Sequence, residues 1–453
     1  MRASRATAVI AATQIYIPCV PAPTPRHPRL ATILSARVAY IAIILIATLT
    51  NLEPNWHDGL VGERLARAIH PPVAWSDTID AIRNVLLFAG FGAIWEVTSR
   101  LTLRTALWRA TLYGCLLSIT VETLQLFSPV RFSSILDVMT NTGGAFIGAF
   151  AVAVLVAAVR ARRDADSYLG VPTFVIALGL LGAVFVEGAT PFFRQDYLPD
   201  RAGGPIHRLH LTLAAARPFS FSAMPWTELV LSMPAGFVAV AALAEFGLSA
   251  GGAAVLVAIL GIVISVGAEL AHGTTGVYIV WSAVVAHALG VALGGVAAAL
   301  WLRPLAARFS GRARVRVFIA AYAIMLAGWL WRPFLPRESG AALAEQLSRP
   351  HWMPMSVFGG SGSAILVGDT VQFFLLFFPF GAVLGAWPAR ERGMMRWLMP
   401  GVWLALLLAF GQLFVQARSF DVTNLLIMIA GVWLGWWIAR RAGIPRRGTW
   451  LAD

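Results

Sequence analysis

Residues 118–148 read SITVETLQLFSPVRFSSILDVMTNTGGAFIG, and this stretch indicates the fold class. It joins the end of one apolar segment, near 106–127, to the start of another, near 135–158. Apolar runs of about 20 residues have the length that an α-helix needs to cross a bilayer. The short polar connection between the two runs therefore predicts neighbouring transmembrane helices that turn back at one membrane face.

The same pattern extends over the rest of the chain. Hydrophobic residues make up 58% of the 453 residues and charged residues 13%, against about 45–50% and 25% in soluble proteins. We predict an all-α, polytopic transmembrane helical bundle of about twelve spans. The predicted spans lie near 33–51, 81–99, 106–127, 135–158, 171–188, 227–247, 251–271, 277–302, 315–332, 368–387, 396–416 and 422–439.

The charge distribution indicates orientation rather than a nucleic-acid partner. The net charge is +13 and every cationic side chain other than histidine is an arginine. Most arginines fall in short connections that would all lie on one side of the membrane. By the positive-inside rule, the chain is predicted to be a multi-pass membrane protein with both termini in the cytoplasm.

Cysteine content and motifs argue against several kinds of chemistry. The two cysteines, Cys19 and Cys115, exclude a disulfide framework. The sequence contains no metal-binding spacing, Walker motif or GxSxG motif. We predict no cofactor and no metal site, and we assign no catalytic residue. The lipid bilayer is the expected partner, and the sequence does not indicate the oligomeric state.

Two parts of the chain resemble each other. Asp80 precedes Gly92 by twelve residues, and Asp369 precedes Gly381 by the same interval. Gln125-x5-Arg131 is matched by Gln412-x5-Arg418. Each arginine is followed by Asp-Val and then Asn, which are Asp137 and Asn141 in the first copy and Asp421 and Asn424 in the second.

The middle of the chain keeps part of this pattern. Ser265-x3-Glu269 matches Ser118-x3-Glu122, and His287-x6-Gly294 matches Asn141-x6-Gly148. We therefore predict three repeats of four helices. The predicted division is a basic disordered tail 1–30, a four-helix unit 31–160, a diverged unit 161–303, a further unit 304–440 and a basic tail 441–453.

Polar residues recur at one level of the predicted helices, in their outer third. A charged side chain at the centre of a membrane helix costs about 2.5–3.5 kcal/mol, so such residues normally face protein or water. The first unit places seven there: Asp80, Asn84, Glu122, Gln125, Arg131, Asp137 and Asn141. The last unit places Asp369, Gln412, Arg418, Asp421 and Asn424 at the corresponding level.

Two interpretations of these residues stay open. In the first, they form an internal network in which Arg131 pairs with Glu122 or Asp137, and Asn141 satisfies groups at a helix end. In the second, they form a ligand site in which Arg131 and Arg418 hold a phosphate or carboxylate, because guanidinium groups make bidentate bonds to such anions. The remaining carboxylates and amides would then orient the ligand.

The run 118–148, preceded by Asn84-Val-Leu-Leu-Phe, resembles the VanZ-like family, which carries Glu-x-x-Gln, Arg, Asp and Asn-Thr-x-Gly in this order. The resemblance covers about 120 residues of the first unit and, more weakly, the last unit, where Gly411 stands near the position of the family's Glu. The resemblance implies a multi-pass protein of the bacterial cytoplasmic (inner) membrane and a link to glycopeptide resistance of the teicoplanin type.

Our leading hypothesis is a non-enzymatic envelope protein. Its outward polar pocket would bind an envelope lipid, a lipid-linked sugar or a lipophilic glycopeptide. One alternative is a multi-pass transporter or lipid flippase. The other is an envelope-modifying membrane enzyme that uses Glu122 or Asp137 as acid or base, as paired carboxylates can.

Overall fold

The computed structural model describes residues 30–49, 61–69, 75–99, 101–128, 133–161, 168–169, 172–189, 205–274, 276–337, 340, 343–344, 348, 363–386, 394–416, 418 and 420–442. Both predicted tails lie outside these residues, except Leu30, Arg441 and Ala442.

The described part of the chain is helical, with no β-strand among its residues. The helices are α1 (Leu30–Leu49), α2 (Val61–Ile69), α3 (Trp75–Thr98), α4 (Leu103–Gln125), α5 (Ile135–Ala161), α6 (Thr173–Ala189), α7 (Pro205–Ala214), α8 (Trp226–Glu245), α9 (Ala250–Gly273), α10 (Trp281–Arg308), α11 (Gly311–Leu330), α12 (Ser363–Ala386), α13 (Met394–Gly411) and α14 (Val422–Ala442). A short 3-10 helix, Gln412–Phe414, follows α13.

The predicted all-α membrane bundle is confirmed. Each of the twelve predicted spans coincides with one helix, within a few residues at most ends. Among the described residues, six helices are long and apolar enough to cross a membrane, namely α5, α8, α9, α10, α11 and α14. The total of about twelve spans stays a prediction. The short helices α2 and α7 lie in connections for which we predicted no helix.

Three helix pairs pack with their backbones in contact: α3 with α5, α8 with α10, and α12 with α14. Each pair meets at glycines, where an added methyl group would lie less than 3.0 Å from a carbonyl oxygen of the facing helix. Small residues allow such close packing between membrane helices. These glycines are Gly92, Gly144 and Gly148 in the first pair, Gly236, Gly290 and Gly294 in the second, and Gly381, Gly431 and Gly435 in the third.

The partners of these glycines define a common register. The carbonyl oxygen that faces Gly148 belongs to Ala89, the one that faces Gly294 to Met233, and the one that faces Gly435 to Phe378. The remaining glycines pair at the same relative positions. A further glycine, on α4, α9 and α13 respectively, meets the fourth helix at an equivalent side chain: Ala145, Val291 and Val432. These are the contacts expected of three related four-helix units, although the division into units stays a prediction.

The middle and last predicted units meet mainly where α6 packs against α12, and the first predicted unit meets the last where α14 packs against α5 and α3. Gly179 of α6 faces the ring of Pro379, and the buried side chains of Ile176, Leu376 and Phe377 belong to the same large apolar core. The first unit has a smaller core of its own around Phe88 and Phe91. The polar residues singled out by the sequence lie at one end of this bundle, where α4 ends and α5 begins.

Candidate functional site

Five polar side chains of the first unit lie together at this end of the bundle. We call them the first polar cluster: Asn84, Ser118, Glu122, Asp137 and Asn141. Three hydrogen bonds link their helices. The Asn84 amide donates to Asp137 Oδ1 over 2.7 Å, the Asn141 amide donates to Ser118 Oγ over 2.9 Å, and the backbone N–H of Ser134 donates to Glu122 Oε2 over 3.0 Å.

The cluster combines two carboxylates with two amides in a largely buried setting. Glu122 and Asp137 lie close enough to interact electrostatically. Glu122 and Asn141 are buried, whereas Asn84 and Asp137 are half-buried and reach the protein surface. Asn141 Oδ1 is buried and accepts no hydrogen bond from the described residues. An unsatisfied buried acceptor is costly, so the arrangement could accept a hydrogen bond from a ligand that carries a hydroxyl or amino group.

The structure brings most of the predicted first-unit residues together, with one difference in role. In the internal-network interpretation Asn141 satisfies groups at a helix end, but its amide instead bonds to Ser118 on the neighbouring helix α4. That part of the internal-network interpretation does not hold, because Asn141 lies in the second turn of α5, beyond the helix's first unpaired N–H groups. Arg131 and the side chains of Asp80 and Asp369 lie outside the described residues.

Gln125 and Gln412 each donate a hydrogen bond to a backbone carbonyl at the end of a neighbouring helix. The Gln125 amide donates over 3.0 Å to the carbonyl of Thr48, in the last turn of α1. The Gln412 amide donates over 3.4 Å to the carbonyl of Leu330, the last residue of α11. Carbonyls at a helix C-terminus lack intrahelical partners, so both glutamines satisfy the end of the first helix in their unit.

Arg418 also contacts the end of α11. Its guanidinium donates to the carbonyl oxygens of Arg332, at 2.9 Å, and Trp329, at 3.5 Å. These contacts match the internal-network interpretation. The guanidinium of Arg337 in turn donates over 2.6 Å to the carbonyl of Arg418, so the connection after α13 is tied to the end of α11.

In the last unit, apolar residues replace most of the first polar cluster. The glycine register assigns the positions of Asn84, Ser118, Glu122 and Asn141 to residues that are buried and apolar. These are Phe373, Ala405, Ala409 and Met428. At the position of Asp137 stands Asn424, which is also buried.

This register differs from the one that the sequence motif indicated. The motif paired Asp421 with Asp137, but Asp421 directly precedes α14, whereas Asp137 is the third residue of α5. The Asp421 carboxylate accepts the backbone N–H of Thr423 over 2.6 Å. Asp421 therefore acts at the start of a helix, and Asn424 occupies the place of Asp137.

The middle unit, in contrast, has polar residues at the same four positions. We call them the second polar cluster: Glu228, Ser265, Glu269 and His287. Glu269 Oε1 accepts the backbone N–H of Val280, directly before α10, over 2.7 Å. Glu122 accepts the N–H of Ser134, directly before α5, in the same way. His287 Nε2 lies 3.5 Å from Glu228 Oε2, and His272 Nδ1 lies 3.8 Å from Glu269 Oε1.

A buried ion pair joins the middle unit to the last one, and we did not predict it. Arg332 Nη1 lies 2.7 Å from Glu187 Oε1, and the two side chains are 4% and 3% exposed. The Gln372 amide donates to the other oxygen of Glu187, and His287 interacts electrostatically with the same carboxylate. Lone charges at the ends of predicted spans 171–188 and 315–332 were the available signal, but nothing in the sequence pairs residues so far apart.

Two other kinds of reactive site give no support for a catalytic or metal-binding function. Cys115 is half-buried and forms no disulfide. Among the described residues, no group of three or more His, Cys, Asp or Glu side chains is placed to hold a metal ion. What the site offers is therefore a set of hydrogen-bonding and charged side chains at one end of the bundle.

Comparison with known proteins identifies the family. The model of the VanZ/LLP1 family matches residues 37–156 and, as a second copy, residues 319–443. The matches begin in α1 and α11 and end in α5 and just beyond α14, so they cover the first and last predicted units. Neither the curated proteins nor the solved structures contained a match to this chain. Since the two copies together cover more than half of its residues, the chain belongs to the VanZ/LLP1 family.

Proposed function

We propose that the first polar cluster binds the polar headgroup of an envelope lipid, a lipid-linked sugar or a lipophilic glycopeptide. Carboxylate and amide groups hydrogen-bond to the hydroxyl and amino groups that such headgroups carry. Asn84 and Asp137 are half-buried and would meet the ligand first. Asn141 Oδ1 would accept a hydrogen bond deeper in the site.

One observation carries this proposal: the last unit builds the same helix packing without the cluster. It has the same glycine contacts, and its Gln412 has the same role as Gln125. A tyrosine on the first helix also bonds to the second helix in both units, from Tyr40 to the carbonyl of Leu87 and from Tyr322 to the carbonyl of Leu376.

The scaffold therefore does not require polar residues at the positions of Asn84, Ser118, Glu122 and Asn141. Burying polar groups costs free energy unless they are fully paired, so their presence in the first unit favours a role in binding. The second polar cluster occupies the same positions in the middle unit, which supports treating 161–303 as a diverged third copy with a related site.

We place the cluster on the outer side of the bacterial inner membrane, with both termini in the cytoplasm. The arginine distribution supports this orientation. An external site would be accessible to glycopeptides and to lipid-linked cell-wall precursors, which supports a link to glycopeptide resistance. Drug susceptibility of cells with and without the protein tests that link.

The enzyme alternative rests on the electrostatic interaction between Glu122 and Asp137, since two neighbouring carboxylates can act as acid and base. The variant Glu122→Gln separates the two roles. It keeps a hydrogen-bonding side chain, so a binding site would retain part of its ligand, whereas a catalyst that needs the carboxylate would lose its turnover.

Native mass spectrometry of protein extracted with its own lipids tests the binding role. The wild type should retain a headgroup-bearing species, and Glu122→Ala should lose most of it. Thr123→Ala is the matched control, because Thr123 neighbours Glu122 but is exposed on α4. Equal lipid content in wild type and Glu122→Ala, or equal loss in both variants, would contradict the proposal.

A further inference from the structure

We propose a second binding site at the opposite end of α4, for the headgroup of an anionic phospholipid. An open surface groove with a volume of about 470 Å³ lies along the first turns of α4, and its lining residues all belong to this helix: Arg104, Thr105, Trp108, Arg109 and Leu112. It lies at the end of the bundle away from the first polar cluster, so it does not depend on the proposed function of that cluster.

The two arginines of the groove are available to a ligand. Neither Arg104 nor Arg109 has a hydrogen bond or ion pair with any other described residue, and both are exposed. Other arginines at this end are engaged: Arg37 donates to Thr98 Oγ1 over 3.0 Å, and Arg441 lies 3.6 Å from Glu96 Oε1. Two guanidinium groups that lack such contacts with the described residues lie beside Thr105, and they could donate hydrogen bonds to the oxygens of a phosphodiester.

An apolar strip continues from the groove along α4. Trp108, Leu112, Leu116 and Ile119 follow one another on the same face, with exposed fractions of 58%, 55%, 51% and 46%. The helix rises ~1.5 Å per residue, so the strip is about 16 Å long. This is close to half of the ~30 Å hydrocarbon core, the depth that the acyl chains of one leaflet reach.

A basic groove that opens onto an acyl-chain surface fits a phospholipid better than a soluble phosphate. The predicted orientation places this end of α4 at the cytoplasmic leaflet. The anionic lipids of that leaflet attract basic residues near the membrane surface. The ligand class we infer is therefore an anionic glycerophospholipid of the inner leaflet.

Native mass spectrometry of the purified full chain, titrated with phosphatidylglycerol or phosphatidylcholine, tests the inference. We expect tighter binding of phosphatidylglycerol, and a roughly 10- to 30-fold weaker affinity for it in the double variant R104A/R109A, as expected for loss of two surface cations. The matched control is R303A/R308A, which removes two exposed arginines of α10 at the same predicted side. It should leave binding unchanged.

Three results would overturn the inference. One is equal affinity of the wild type for the two lipids, and another is the same loss in both double variants. The third is displacement of phosphatidylglycerol by millimolar inorganic phosphate, which would indicate a simple anion site. Because all four arginines are exposed, melting temperatures of both variants should stay near the wild-type value, so a change in binding would not reflect unfolding.

Discussion

Removing the buried cation Arg332 should destabilise the protein more than any surface substitution. Arg332 lies 2.7 Å from Glu187, and both side chains are almost fully buried. Arg332→Met would leave the Glu187 carboxylate in the interior without its cation, and among the described residues the Gln372 amide and His287 would remain beside it. Breaking a buried ion pair from one side costs about 3–5 kcal/mol.

The double variant Glu187→Met/Arg332→Met should be more stable than Arg332→Met alone. It removes the unpaired charge, and replacing a whole buried pair with apolar residues is often neutral or favourable. Gln372 then loses its acceptor, which costs about 1–3 kcal/mol if it finds no other. We therefore expect the double variant to recover part of the stability, but not all of it.

Thermal melting in detergent measures both effects. At about 2–4 °C per kcal/mol for units of this size, Arg332→Met should melt ~10 °C below the wild type. Arg308→Met, an exposed arginine on α10, should melt within ~2 °C of the wild type. If Arg332→Met melted like this control, or if the double variant were less stable than the single one, the ion pair would not hold the units together as argued.

Three further predictions concern packing, helix ends and orientation. Gly144→Ala should lower the free energy of unfolding by about 1–3 kcal/mol, because the added methyl group meets a carbonyl oxygen of α3. Gly143 has open space around it, so Gly143→Ala should raise stability slightly. Melting curves of the two variants test this difference. Arg418→Ala should lower the melting temperature, since the last carbonyls of α11 lose a donor, yet leave the retained lipid unchanged. In intact cells, a cysteine at Gly203 should react with an impermeant maleimide and one at Arg162 should not; the opposite labelling would reverse the orientation.

Sequence patterns were sufficient to predict where the long helices lie, but not which helices and side chains contact each other. Within the described part of the chain, the apolar runs predicted from the sequence coincide with twelve helices of 17 or more residues, because an apolar run of that length is a local property of the sequence. The connections were harder. α2 contains charges on one side and apolar residues on the other, VGERLARAI, and this helical periodicity was the signal that could have revealed it.

The candidate site was only partly predictable. The sequence intervals placed Glu122, Asp137 and Asn141 near the ends of neighbouring helices, and in the structure these residues belong to one group of polar side chains. The sequence motif did not reveal which residues of the last unit correspond to those of the first. Its one warning was a difference in spacing, since Asp137 and Asn141 are four residues apart and Asp421 and Asn424 are three apart. The glycine contacts between helices establish which residues of the two units correspond. These contacts depend on three-dimensional packing and cannot be read from motif similarity.

The same contacts changed the assessment of the middle unit. The sequence comparison emphasised its missing Gln, Arg and Asn, yet Glu269 accepts the N–H that precedes α10 just as Glu122 accepts the one that precedes α5. The pairing of Glu187 with Arg332 could not have been derived, because a single sequence contains no information on which distant charges meet.

The most direct test of the account exchanges cluster residues for those of the last unit. The triple variant Ser118→Ala/Glu122→Ala/Asn141→Met introduces the side chains found at Ala405, Ala409 and Met428. Ser118 and Asn141 bond to each other, so removing both leaves neither unpaired. Melting and bound-lipid content should be measured on the same preparation. We predict a melting temperature near that of the wild type with the headgroup-bearing lipid lost, whereas a large loss of stability with the lipid retained would contradict a ligand site and indicate a structural network.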